Sequence, residues 1–456
     1  MDSTARRWTL LATSLGFAVI QLDVSVVNVA IKPIGAALGG GVSALQWVVS
    51  AYTLAFASLI LTAGALGDRI GAKRVFIGGF VLFTIASAAC GLAPRLPVLI
   101  AARAVQGVGA AVLASSSLSL LNHTFPDPGD RARAVGFWAA GASIALAGGP
   151  LVGGVLIATL SWRAIFFLNA PIGLVGILLT LRFAPETTRT SARGIDLPGQ
   201  ALGILALGSL AAATIQGGHS GFGSPAVLAG FALAAGFMIA FVAVEARRAD
   251  PMLPLGFFHH RAFSAATAIG LLINVAFYGL IFVFSLYFQR AQHLSPLQTG
   301  LAFAPSTVAV LIANLLAGRA DARFGARRVI IAGSVLMTAA LAGLLGAEAS
   351  TPYAGLVAQL MVLGFGIGLV VPAITAMLLA SVDRSRSGIA SGTLNSARQS
   401  GSVIGVALFG ALIAGGNGLT AGLHVALAIS VALTLIVTTI SLTIGSPERS
   451  QPRGVR

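Results

Sequence analysis

Charge is what this chain of 456 residues lacks: only 9% of it is Asp, Glu, Lys or Arg, against roughly 25% in a soluble domain. With 57% hydrophobic residues and a mean hydropathy of +0.94, so few polar groups could not cover a water-facing surface. Lipid is the remaining solvent, and it admits closed barrels or helices alone, because an unpaired backbone group there is costly. The apolar runs are near 20 residues long rather than alternations of about ten, which selects helices. Cysteine is nearly absent. The single thiol, Cys90, lies inside an apolar run, which excludes a disulfide framework and CxxC redox chemistry. Acid is scarce as well, with 13 acidic residues against 28 basic ones and a formal net charge of +15. In a soluble protein that excess would suggest nucleic acid, but no basic block or interleaved aromatic platform is present.

The distribution of charge explains the excess differently. Apolar runs broken by charge, Pro and Gly predict 14 spans, at 10–31, 45–67, 75–93, 97–121, 134–160, 164–182, 197–216, 225–245, 263–288, 297–318, 328–346, 353–380, 388–415 and 421–444. With the N-terminus inside, 23 of the 28 basic residues fall in cytoplasmic segments, Arg398 being counted with the segment that leads into the thirteenth span. Lys32, Arg95, Arg163 and Arg290 fall outside, and Arg103 is left within a span. The positive-inside rule then predicts a multi-pass protein of the cell inner membrane with both termini cytoplasmic. Arg6 and Arg7 before an apolar stretch could mimic a secretory signal. The run from Leu10 to Ile31 is too long for that and carries Asp23, so it reads as an uncleaved first helix.

One segment recurs. Gly64-Ala-Leu-Gly-Asp68-Arg69-Ile-Gly71-Ala-Lys73-Arg74 follows the second span, and Gly318-Arg-Ala-Asp321-Ala-Arg323-Phe-Gly325-Ala-Arg327-Arg328 follows the tenth. Internal repeats in membrane chains mark pseudo-symmetric halves that rock about a central site. The equivalence of spans 2 and 10 predicts six helices, two inserted helices, then six more. The expected units are 1–190 (first bundle), 191–255 (inserted pair), 256–445 (second bundle) and 446–456 (cytoplasmic tail).

Two residues stand out within the apolar spans. Asp23 is the only acid well inside one, and carboxylates at membrane depth usually face a cavity or a partner. Arg103 in the fourth span falls near the same level: Asp23 lies roughly 20 Å from the inner face and Arg103 roughly 9 Å from the outer face of a core about 30 Å thick. The pair reads either as a proton-coupling site, in which a proton or a substrate cation competes with Arg103 for Asp23, or as a static ion pair holding two helices together. An adjacent arginine favours the ionised carboxylate, so protonation would require the pairing to loosen.

Taken together, these segments resemble the major facilitator superfamily, in particular its 14-helix drug:proton antiporter branch. The resemblance runs nearly end to end. It rests on Leu22-Asp23-Val-Ser-Val-Val-Asn28 in the first span, with Lys32 where the family has proline, and on Arg103-Ala-Val-Gln106-Gly107-Val-Gly109 in the fourth. It also rests on Gly148-Gly149-Pro150-Leu-Val-Gly153-Gly154 in the fifth, Trp162 to Pro171 at the sixth, and Asn395-Ser-Ala-Arg398-Gln399 at the thirteenth. What the resemblance implies is an all-α major facilitator fold. Gly64, Asp68, Arg69, Gly71 and Arg74 would form a cytoplasmic conformational latch, and Gly149, Pro150, Gly153 and Gly154 an element associated with antiporters. Physically, the small residues permit close helix approach and the proline bends its helix.

No catalytic constellation or phosphate-cradling loop is present, so the chain reads as a transporter rather than an enzyme. It needs no cofactor or metal, and a monomer suffices. Adjacent His259 and His260, without thiol or acid companions, read as loop residues. The function expected is proton-driven export of small amphipathic compounds (drugs, antiseptics or a secondary metabolite). Its candidate cavity contacts are Asn28, Gln46, Trp47, Tyr52, Gln106, Asn274, Phe277 and Tyr278. A single intramembrane acid suits neutral, anionic or monocationic substrates better than dications. The alternative is uptake of a nutrient or metabolite by symport or uniport on the same fold.

Overall fold

The computed structural model describes residues 3–187, 196–248, 251–382, 387–414 and 418–444; the expected tail 446–456 and the side chain of Asp68 lie outside this description. Everything described is helix or short connection. Among the described residues, fourteen helices are long and apolar enough to cross a membrane, the bent α5 counted as one: α1 (Ser3–Leu38), α2 (Val42–Ile70), α3 (Ala72–Leu92), α4 (Leu96–Thr124), α5 (Pro128–Thr159), α6 (Ala164–Phe183), α7 (Leu197–Ser220), α8 (Pro225–Arg247), α9 (Arg261–Ala291), α10 (Pro296–Phe324), α11 (Ala326–Leu344), α12 (Ala354–Ala380), α13 (Ser387–Ala414) and α14 (Leu419–Thr443). Thirteen are single apolar rods. The remaining one, α5, passes as two segments, Arg133–Leu146 and Gly148–Thr159, set at 41°. Pro150 accounts for that bend, since it has no N–H to donate to the carbonyl four residues back.

Packing repeats between the halves. Helix α1 lies on α5 as α9 lies on α13, α4 bridges α2 and α3 as α12 bridges α10 and α11, and α6 rests on α1 and α3 as α14 rests on α9 and α11. Where the halves meet, α2 packs on α13 and α5 on α10, which are each other's counterparts. The inserted helices sit outside this frame. Helix α7 covers the α2–α13 seam and α8 packs on α7. Gly218 of α7 lies against the backbone of Ala411, and Gln200 donates to the carbonyl of Ser58 at 2.7 Å. Only 17% of the α8 window is buried inside the protein, as befits a lipid-facing apolar rod.

The repeated turns adopt the same geometry. Gly71 (φ +99°) joins α2 to α3 and Gly325 (φ +84°) joins α10 to α11, left-handed positions that glycine fills without a Cβ clash. Aligned on these glycines, Asp321 falls one residue further from the turn than Asp68 does. Each turn ties to the end of the sixth helix of its own half. In the first, Lys73 Nζ lies 3.7 Å from Glu186, and the Ala72 amide donates to Thr187 Oγ1 at 2.7 Å. In the second, Arg327 donates to the carbonyls of Ser441 and Leu442 at 3.1 and 2.6 Å.

Candidate functional site

Helix α1 is apolar around most of its girth; Thr13, Ser25 and Asn28 donate back to carbonyls of their own helix, but a carboxylate only accepts and must find its donors on neighbouring helices. Asp23 is fully buried. Its Oδ2 accepts from Arg103 Nη1, and its Oδ1 accepts from Gln106 Nε2 at 2.8 Å and from Asn169 Nδ2 at 3.0 Å. Arg103 also donates from Nε to the Val48 carbonyl (3.0 Å) and from Nη1 to Gln106 Oε1 (2.7 Å), and its guanidinium sits 4.2 Å over the Tyr52 ring. Ser87 Oγ accepts from both Gln106 and Asn169 at 2.7 and 3.2 Å. The three-residue spacing of Arg103 and Gln106 puts both on one face of α4. The result is a charge-neutral cluster contributed by α1, α2, α3, α4 and α6, sealed inside the first bundle. Depth along the chain anticipates the Asp23–Arg103 pairing; Asn169 stands out in the sequence only as part of the Trp162–Pro171 segment, and Ser87 not at all, because small polar residues in apolar helices are common.

A separate cavity of about 400 Å³ lies between the halves, walled by α1, α2, α4 and α5 on one side and by α9 and α13 on the other. It opens on the face that carries the α2–α3 turn, where Gly64, Asp196, Pro251 and Met252 line its mouth. Asp23 and Arg103 do not line it. Gln21 does, and two residues along an α-helix turn about 200°, so Asp23 points away from the cavity into its own bundle. A substrate cation in this cavity therefore meets no carboxylate of α1, contrary to the expectation of direct competition at Asp23.

The expected cavity residues divide. Asn274 and Tyr278 line the main cavity, while Asn28 and Phe277 line a smaller void of about 60 Å³ beside Pro150. Gln46 lies instead on the α2–α13 seam, donating to the carbonyls of Val406 (3.0 Å) and Ala407 (2.8 Å). Tyr52 and Gln106 belong to the Asp23 cluster, and the half-buried Trp47 lines neither void. Arg398, counted above with a cytoplasmic segment, stands about three turns inside α13 and lines the cavity. Its position within the predicted span 388–415 was the clue in the sequence.

The opposite face is closed. Lys32 Nζ reaches the Gln289 carbonyl at 2.5 Å, Gln289 Nε2 donates to Val29 O at 3.2 Å, and Ser285 Oγ to Asn28 O at 2.5 Å. The α9 end that supplies Gln289 is a wide π turn, Tyr287–Ala291. The glycine-rich element of α5 completes this closure. A Cβ on Gly149 would lie 2.8 Å from Ser25 Cβ, one on Gly153 2.6 Å from Val26 Cγ2, and one on Gly154 2.8 Å from Leu297 Cα of α10. Bare backbone at these positions lets α5 press on α1 within its half and on α10 across the seam. Of the expected latch, Gly64 lines the cavity mouth, Gly71 makes the turn, and Arg74 Nε is 4.0 Å from Glu186; Arg69 is exposed.

Two pseudo-symmetric six-helix bundles around a central cavity define a fold, and the profile of one large family covers both halves of this chain, at residues 13–279 and 266–456. The chain belongs to the Major Facilitator Superfamily. As a superfamily member it is a multi-pass membrane transporter. It is similar to the methylenomycin A resistance protein of Streptomyces coelicolor, at 38% identity over 405 residues (89% of this chain, 85% of that protein). A multidrug resistance protein, Stp, of Mycobacterium tuberculosis is 38% identical over 406 residues (89% and 75%). Among solved structures, a bacterial homologue of the human lysosomal transporter Spinster, inward-facing and unoccupied, superposes with a TM-score of 0.67 over 97% of each chain at 16% identity. At that identity the likeness concerns the fold.

Proposed function

We propose that this superfamily member exports small amphipathic compounds, such as antibiotics, across the bacterial inner membrane in exchange for protons, with both termini cytoplasmic. The names of its relatives, resistance proteins against an antibiotic and against multiple drugs, support the substrate class and the direction. On this reading the open face is cytoplasmic, so the cavity loads from inside.

The observation that carries the coupling is Asp23. Among the described residues it is the one acid in the interior of a span, fully buried and held by Arg103, Gln106 and Asn169. Protonation would cancel its charge and release Arg103 from its ion partner. The freed guanidinium keeps its bond to the α2 carbonyl of Val48, so the event is felt on α1 and α2 together. Both helices also supply cavity wall and seam contacts, a route from proton to access state that does not require proton and substrate to share one site.

The test is accumulation of fluorescent drugs in an efflux-deficient bacterium expressing wild type or Asp23→Asn, with and without an uncoupler. Lower accumulation with wild type, abolished by both the mutation and the uncoupler, is the expected result. Export that survives Asp23→Asn but not the uncoupler would move coupling elsewhere, and gradient-driven uptake would reverse the direction.

A further inference from the structure

The central cavity holds a full positive charge that no described residue neutralises. Arg398 reaches it from α13, its Cγ lying 3.2 Å from the position a Cβ would take on Gly270 of α9. Its Nε has no hydrogen-bond partner, and none of the described ion pairs includes it. No described acid pairs with Arg398, although Asp196, which lines the same cavity, keeps its Oδ2 without a partner. Asp196, at the cavity mouth, takes Arg248 Nη1 on its Oδ1 at 2.6 Å. Asp23 is engaged by Arg103 on the far side of α1.

A guanidinium at membrane depth without a counter-charge is costly, and such groups mark substrate or ion pathways. Its planar fork matches a carboxylate in bidentate fashion. Asn395 and Gln399 lie three residues before and one after Arg398 and line the same wall, as do Asn274 and Tyr278. Asn274 spends its amide N–H on the Gly270 carbonyl at 2.7 Å. The facing wall is aromatic: Phe17 and Trp138 stack with ring centroids 4.0 Å apart. A cavity of about 400 Å³ suits one drug-sized molecule.

Resting on the reading of this cavity as the transport path, we propose that the protein selects amphipathic organic monoanions, whose carboxylate pairs with Arg398 while the apolar body lies against Phe17 and Trp138. The counter-ion missing from the bundle is then brought by the substrate. An empty cavity leaves Arg398 unpaired, a loaded one is neutral, and cationic amphiphiles are disfavoured by the same charge.

Calorimetric titration of the purified protein in detergent with 2-naphthoate, 2-naphthamide and 2-naphthylmethylammonium tests this, because the three share one body and differ in charge. Wild type is expected to bind naphthoate at least about ten-fold more tightly than the amide, and the ammonium most weakly. Arg398→Gln is expected to bring naphthoate level with the amide, and Arg398→Lys to retain part of the preference. Amide or ammonium binding as tight as naphthoate in wild type would overturn the proposal. So would absence of naphthoate binding, or a preference undiminished in Arg398→Gln. If Arg398→Gln does not fold, the wild-type ranking decides. Binding needs no gradient, so an anion preference without proton-linked export would leave this inference standing and sink the coupling, whereas proton-linked export of cations alone would do the reverse.

Discussion

Asp23 takes its three donors from two other helices, and Arg103 in turn is fixed by Val48 and Gln106. Burying both charges costs solvation that only complete pairing offsets, so removing one partner is worse than removing both. Arg103→Ala should therefore lower stability by about 3–5 kcal/mol, seen as a large drop in the thermal unfolding midpoint in detergent. The double variant Asp23→Asn/Arg103→Ala should recover part of that loss. An Arg103→Ala protein as stable as wild type would mean that the cluster is hydrated and the pair contributes little. At the same scale, Arg398 is the contrasting case: a cation that lines a cavity instead of a bundle interior and has no described partner.

Helix α5 shows how a sequence element acts through what it omits. Gly148 and Gly149 are adjacent, yet a Cβ on Gly148 would meet nothing within 4 Å, whereas one on Gly149 would run into Ser25 of α1. On a rod turning about 100° per residue, one glycine faces open space and the next faces a helix. Gly149→Ala should lose most transport and destabilise by about 1–3 kcal/mol through overpacking, while Gly148→Ala should behave as wild type. Transport normalised to membrane protein level checks both. Equal tolerance at the two positions would show that α1 and α5 are not in close contact during the cycle. Across the seam, Gly300 of α10 approaches the Pro150 carbonyl, so the proline that bends α5 also sits at the point where the halves touch.

For the whole molecule, the closed face joins the halves at α1–α9, α2–α13 and α5–α10, and the open face separates them. If the halves rock, the closed face must part in every cycle. In a Cys90→Ser background, Lys32→Cys and Gln289→Cys joined by a short, reducible thiol cross-linker should abolish transport, with recovery on reduction. Ser391→Cys in the cavity wall should stay reactive toward a thiol reagent while the cross-link holds. Transport that persists with the link intact would refute rocking about this closure. The inserted pair adds an asymmetry, since α7 covers the α2–α13 seam and the α5–α10 seam has no such cover from it.

The sequence by itself determined that the chain lives in lipid, that it crosses the membrane 14 times and that its two halves repeat. Each follows from local quantities: the length of an apolar run, the breaks between runs, and the recurrence of Gly71 and its basic neighbours at Gly325. The helix ends ran longer than the apolar runs, as in α1, which continues to Ser3 and Leu38, because polar residues at the membrane surface can stay helical. Depth along each rod also brought Asp23 level with Arg103. Rotation about the rod is another matter. A helix apolar on every side has no preferred face that hydropathy can reveal, so only tertiary packing turned Gln21 into the cavity and Asp23 away from it. Packing likewise sent Gln46, Tyr52 and Gln106 to the seam and the buried cluster, and left Arg398 without a described partner on the cavity wall. It also decided which face is open, since that is set by contacts between residues hundreds of positions apart, Gln46 with Ala407 or Lys32 with Gln289, which no local run of sequence encodes.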